Sequence, residues 1–406
     1  MSKLQRGKTI KILALLLFLM MFCMHVPTAY ADLEDDLMNA AEKGKISSVR
    51  KLLKKGAGVN YADDTGKTPL MWASLNGYWK VARLLIKKGA GVNDTDNDDI
   101  TPLMIAAHNG YLRTVRVLLR KGADVDMRDK EGITALMYAC KAGNSRTALR
   151  LILSGAGVNA MDDYGHTVLI QTVVEGSMDA VRVLLEHGAD VNLPDKDGHT
   201  ALMFASVVGG PEKARLLIEK GADLNKKDHI GQSALMKTIF VGRPESAALL
   251  LEKGADPNAF NNDGITALIV AAGTGQTGTV RLLADKGADI NASDRGGRTA
   301  LMYAAQAGQV ESMRLLIEKG ANLDLADREG ATALEIASFT GQVEAVRLLL
   351  EKGIKMRCNE TTCPPIEYAS RGLLEARGQG DAGQEQKLIE NGELIMNLIR
   401  ERMEQK

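Results

Sequence analysis

Residues 294–326 read DRGGRTALMYAAQAGQVESMRLLIEKGANLDLA: a turn, a short helix, a tight reversal, a second helix and a glycine-ended loop. The hydroxyl residue of this unit falls at Thr68, Thr101, Thr134, Thr167, Thr200, Ser233, Thr266, Thr299 and Thr332, 33 residues apart each time. A fixed period of that length marks a stacked solenoid. It overrides the two or three domains that 406 residues would ordinarily suggest, because a solenoid grows in one direction without a central core.

Each recurring position has a physical task. The hydroxyl stands where a helix needs an N-cap, and Pro69 and Pro102 follow in the first turn, where no N–H is missed. Small residues such as Ala73, Ala106, Ala205 and Ala304 let the first helix approach its neighbours. A glycine is expected to end that helix in every unit, from Gly77 through Gly176 and Gly209 to Gly341. The second helix carries a leucine column from Leu85 to Leu349, for burial between units, and stops at a second glycine, Gly89 to Gly353, where a left-handed cap is cheapest. The Asp residues at 63, 96, 129, 162, 195, 228, 294 and 327 suit side chain-to-backbone bonds in the turns.

The pattern resembles the ankyrin repeat family. The matching motifs are T-P-L with A-A at Thr101, Pro102, Leu103, Ala106 and Ala107, V-R-L-L-L-E-K-G at Val346 to Gly353, and G-A-D-V-N at Gly188 to Asn192. The resemblance implies an all-α solenoid of helix-turn-helix units joined by β-turn loops. Nine full repeats span residues 63–353, between an N-terminal capping repeat over 32–62 and a C-terminal helical cap over 354–406. One departure is systematic: where the family usually has a histidine after the leucine of T-P-L, this chain has Met71, Met104, Met137, Met203, Met236 and Met302, with Ile or Glu elsewhere. That histidine ties turns together by hydrogen bonds, so the turns here are expected to rely more on packing.

The first 31 residues have the layout of a secretory signal peptide: Lys3, Arg6, Lys8 and Lys11, an apolar stretch from Ile12 to Phe22, and Ala29-Tyr30-Ala31 as a small-x-small site. Cleavage after Ala31 would place the mature chain in the periplasm or outside the cell; an uncleaved anchor is the alternative, although the apolar run is short for a span. Lysine and arginine number 51 and so do aspartate and glutamate, and the leader holds four of the cations. That balance gives no sign of the basic stripe of a nucleic-acid binder.

Members of the family usually grip partners with their loop tips and the last turn of the first helix. The matching positions in the middle repeats are apolar: Val174, Val207, Val208, Phe240 and Val241 on helices, with Met161, Tyr164, Ile230 and Phe260 on loops. Flanking repeats have Asn76, Asn109, Lys141 and Gln306 at the helix positions. An apolar run where neighbours are polar suggests an exposed binding patch; packing of these side chains on one another is the other reading.

After Gly353 the period breaks, and Cys358 and Cys363 flank a short loop that a disulfide could close in an oxidising compartment. Cys140 sits at a small-residue core position and is expected to be buried. Equivalent methionines, or His166 and His199, would stand about 10 Å apart on stacked helices, too far to share an ion. No nucleophile–base pair, phosphate-cradling loop or paired carboxylates stand outside the repeat pattern. The expectation is therefore a non-catalytic, monomeric scaffold in the periplasm or cell envelope that binds a protein partner, with no catalytic residues, cofactor, metal, nucleic acid or membrane span. A secreted effector acting on host proteins, and a metal carrier or enzyme, are the alternatives.

Overall fold

The structure is a computed structural model that describes residues 27–358, 362–376 and 382–404. The leader's basic and apolar segments lie outside the described residues, and Ala29-Tyr30-Ala31 falls within the first helix, Pro27–Glu42. Among the described residues every regular element is helical, apart from isolated bridges such as Arg128 with Thr134 and Ser293 with Thr299. The chain divides into two units, Met1–Asp190 and Val191–Lys406.

In the first unit, helix Pro27–Glu42 pairs with Ile46–Lys54, and four repeats follow, with helix pairs beginning at Pro69, Pro102, Ala135 and Val168. In the second, pairs begin at Ala201, Ala234, Ala267, Ala300 and Ala333, and helices Pro364–Ala376 and Ala382–Glu404 pack against the last of them. Gly372 lies so close to the Phe339 carbonyl that any side chain there would clash with backbone. Ile395 and Ile399 are buried in this helical end-piece. The sulfurs of Cys358 and Cys363 stand 1.98 Å apart, just before Pro364 opens it.

The leucine column is wholly buried, 0% exposed from Leu85 to Leu349. The repeat hydroxyls cap the first helices, as when Thr101 accepts the Met104 N–H at 3.2 Å. The methionines do more than pack: the Met104 sulfur accepts the Thr101 N–H at 3.4 Å, and Met71, Met203 and Met302 repeat the contact. A thioether is a weak acceptor, but it serves a buried N–H that would otherwise go unpaired. In the last repeat Glu335 takes the place of the methionine, accepting the Thr332 N–H at 2.9 Å.

The turn aspartates use both carboxylate oxygens. In Asp294 one accepts the Arg298 N–H at 2.8 Å and the other the Tyr303 hydroxyl at 2.7 Å. Asp129 with Tyr138, and Asp63 with Trp72, repeat the arrangement.

Within each unit two sets of polar bonds tie repeats to their neighbours. Asn258 donates to the Gly287 carbonyl at 3.1 Å and accepts the Asp289 N–H at 2.7 Å, so it satisfies the glycine-capped end of the neighbouring second helix. Asn60, Asn93 and Asn159 do the same in the first unit, and Asn192 and Asn291 in the second. On the other side Asn144, Gln276 and Asn391 donate to carbonyls at the end of the preceding first helix.

Two of the expected helix-ending glycines behave differently. Gly176 is extended, with φ −83° and ψ 176°, and Ser177 behind it caps the next helix by accepting the Ala180 N–H at 3.2 Å. Gly209 closes a π-helical turn, Ala205–Gly209, and Gly210 takes the positive φ of 84° instead. Pro211 follows Gly210 and offers no N–H to finish an ordinary reversal.

Burial and bridging make unequal contributions. Leu283→Ala empties a fully buried site and should cost about 2–5 kcal/mol. Asn258→Ala removes two solvent-exposed bonds and should cost about 1–2 kcal/mol. Urea denaturation of both variants checks the order; a larger loss for the asparagine would refute it.

Candidate functional site

The sequence-predicted residues fall into three groups. Val207, Val208, Phe240 and Val241 come together in the second unit, where they line one depression with Met203, Phe204, His199, Gln232 and Lys237. Its volume is about 370 Å³. Ile230 and Phe260 stay on turn tips of the same unit, exposed but outside that lining. Met161, Tyr164 and Val174 belong to the first unit: Tyr164 is exposed at a turn with its ring 6.2 Å from that of His166, Val174 is exposed, and Met161 is half-buried.

The depression arises from local sequence. Helix Ala201–Phe204 runs on into the π turn, which carries Val207 and Val208, and helix Ala234–Val241 ends on Phe240 and Val241. A π turn adds a residue per turn and re-aims the side chains it carries. Phe240 is 69% exposed, Val208 56% and Val241 49%. Thr238 and Ile239 fill the small-residue positions beneath them and are buried; the Thr238 hydroxyl is satisfied by the Ala234 carbonyl at 2.7 Å.

One edge of the depression is polar and internally paired. His199 Nδ1 lies 3.1 Å from Asp195 Oδ2, and its Nε2 lies 3.5 Å from Asp228 Oδ2 in the next repeat. Lys237 Nζ meets the same Asp228 oxygen at 2.6 Å. Burial pushes the Asp228 carboxyl up, but the Lys237 ammonium and the N–H groups of Gln232 and Ile230 outweigh it and hold the group below the usual range. The His199 ring meets Phe204 edge-on at 5.7 Å. These partners lay outside the predicted patch. Their signal was the residue nine positions after the turn aspartate, which is Tyr or Trp in several repeats but Phe204 and Lys237 here.

Other reactive groups are held in structural roles. Cys140 is buried, which pushes its thiol up to about 12, so it is not a thiolate at neutral pH. Burial and the hydrogen bond to Asp294 push Tyr303 up to about 12 as well. Asp195, Asp197 and His199 place one potential ligand atom each within 4.8 Å of one another. Asp195 Oδ1, however, already accepts the N–H groups of both Asp197 and His199 in the turn.

A family model described as ankyrin repeats (3 copies) matches residues 19–96, 37–129, 89–162, 136–228, 225–294 and 291–360. No curated protein matches the chain. Among the described residues no helix is long and apolar enough to cross a membrane.

Asp228 supplies a pH test. Its folded value is depressed, so its contribution to stability is complete above the unfolded value near ~3.9 and is lost as pH falls through the folded one. Lys237→Met should lower stability at neutral pH by about 1–3 kcal/mol. It should also flatten the acid side of the stability curve, measured by urea denaturation between about pH 3 and pH 6.

Proposed function

The chain belongs to the ankyrin repeat family, whose members are in general scaffolds for protein–protein interaction, and on that premise we propose that it captures a protein partner outside the cytoplasm. The grip is the depression between the π-turned end of helix Ala201–Phe204 and the end of helix Ala234–Val241. One observation carries the reading: Val208, Phe240 and Val241 are exposed together, at positions filled by His108, Asn109, Lys141, Thr274 and Gln306 in several other repeats. Apolar side chains held in water on a rigid support are stabilised by a partner that covers them. The buried ion pairs along one edge fix the floor and leave the apolar rim to make the contact.

The scaffold acts without catalysis on this reading, because the titratable groups beside the depression are already paired with one another. Export rests on the leader's layout, and the Cys358–Cys363 bridge suits an oxidising compartment. Cell fractionation should find the chain in the envelope or periplasm; recovery in the cytoplasm with its leader intact would sink the export reading.

Phe240→Asp combined with Val208→Asp should abolish recovery of a stoichiometric partner when the tagged chain is captured from the cell envelope. Both side chains are exposed, so the variant should unfold within about 1 kcal/mol of the wild type. Undiminished recovery by the folded double variant would show that the partner binds elsewhere.

A further inference from the structure

Four of the five second helices of the first unit carry only cations as charged residues, while the fifth, Met178–Glu186, has Asp179 and Glu186. Ile46–Lys54, Trp79–Lys87, Leu112–Arg120 and Ser145–Ile152 read ISSVRKLLK, WKVARLLIK, LRTVRVLLR and SRTALRLI, with eleven Lys and Arg and no Asp or Glu. Each packs beside the next, at the ~10 Å spacing of neighbouring helices. All the cations are exposed except the half-buried Arg150, and among the described residues none of them takes part in an ion pair. The balance of the whole chain, which argued against a basic stripe, conceals this one.

The repeat itself does not ask for these charges. The second position of the helix is Lys80, Arg113 and Arg146 here, but Glu212, Glu245, Glu311 and Glu344 in later repeats. Acidic residues in a first helical turn are stabilised by the helix dipole, and cations there are disfavoured. The charge at the last position differs as well, Lys54, Lys87 and Arg120 against Glu219, Glu252 and Glu318, although there the dipole favours the cations. The first-turn rule is broken three times on one face, with no carboxylate paired to any of the three and only the Trp79 ring, 5.5 Å from the Lys80 Nζ, as a contact; such a departure points to a ligand.

We propose that this face docks on an anionic lipid surface. Parallel helices packed side by side present their cations as a broad array, which suits a planar sheet of headgroups. Tyr78, Trp79 and Tyr111 stand at the helix starts, with both tyrosines exposed, and such side chains settle at a membrane–water boundary. From Asp63 to Asp163 the acidic residues fall in the connecting turns, as in DTDNDD over 94–99, whereas the capping repeat carries Glu34, Asp35, Asp36 and Glu42 on helix Pro27–Glu42. Docking here uses residues of the first unit alone.

The test is co-sedimentation of the purified chain with vesicles of phosphatidylcholine containing about 30% phosphatidylglycerol, at low and at high salt. The chain should sediment with these vesicles at low salt, be released by high salt, and ignore pure phosphatidylcholine. Lys80→Glu, Arg113→Glu and Arg146→Glu together should weaken binding at least about a hundredfold, while the melting temperature holds or rises because the first turns gain their favoured charge. Equal binding by the triple variant, equal binding to neutral vesicles, or no binding to anionic ones would overturn the proposal. So would tighter binding to a DNA duplex than to the anionic vesicles, which would assign the face to nucleic acid.

Discussion

No helix pair in this protein can bury both of its faces, and that single constraint accounts for most of the sequence. Two short helices of seven and nine residues, such as Pro102–His108 and Leu112–Arg120, are too short to stand alone in water. What holds them is the neighbour on each side, through Leu118 and its equivalents, which have no exposed surface at all. Stability of this kind is a sum of interfaces. Within each unit, the residues that make the interface are therefore fixed in register and the residues that do not are free.

Freedom of that sort has a second condition, which the polar ladders meet. Helix ends leave carbonyls and N–H groups without partners, and short repeats have many ends. Asn258 and its equivalents serve the ends of the second helices, Asn144 and Gln276 those of the first, and the aspartates close the turns. Because the backbone is satisfied by these few positions, the last turn of a first helix can carry almost any side chain. Phe240 and Val241 on one helix end, and Asn109 on another, are equally compatible with the fold. Binding chemistry is written in positions that folding does not use.

This division sets what could be read from residues alone. The hydroxyl caps and the leucine column followed from period and polarity, because each depends on residues close in the chain, whereas for Phe240 and Val208 the sequence left exposure and mutual packing as two readings. The asparagine ladder was visible as a spacing from Asn60 to Asn291 but had no readable purpose, since its partners lie 29 and 31 residues away on the next repeat. The methionine sulfur as an acceptor needed the geometry of the turn. The π winding at Ala205–Gly209 was harder still: Gly209, Gly210 and Pro211 look like an ordinary reversal until the proline's missing N–H and the positive φ of Gly210 are considered together. Gly176 does end its helix, but in an extended conformation, because Ser177 supplies a conventional N-cap for the next one.

Charge is the case in which the totals mislead. Equal numbers of cations and anions describe a neutral molecule only if the two kinds are mixed, and from Ile46 to Asp163 they are largely sorted, the second helices carrying cations alone and the carboxylates falling in the turns. The carboxylates in the turns are bound by folding, since Asp96 and Asp129 must accept backbone N–H groups for the turn to close. The cations are under no such obligation, and at the helix starts they oppose the local field. A feature that costs stability and pairs with no carboxylate of the chain is best explained by something outside it. The same reasoning applies to Phe240 and Val208, where apolar surface instead of charge is left facing water. A repeat fold whose interior is so fully determined makes such departures easy to recognise, because every other residue has a stated task.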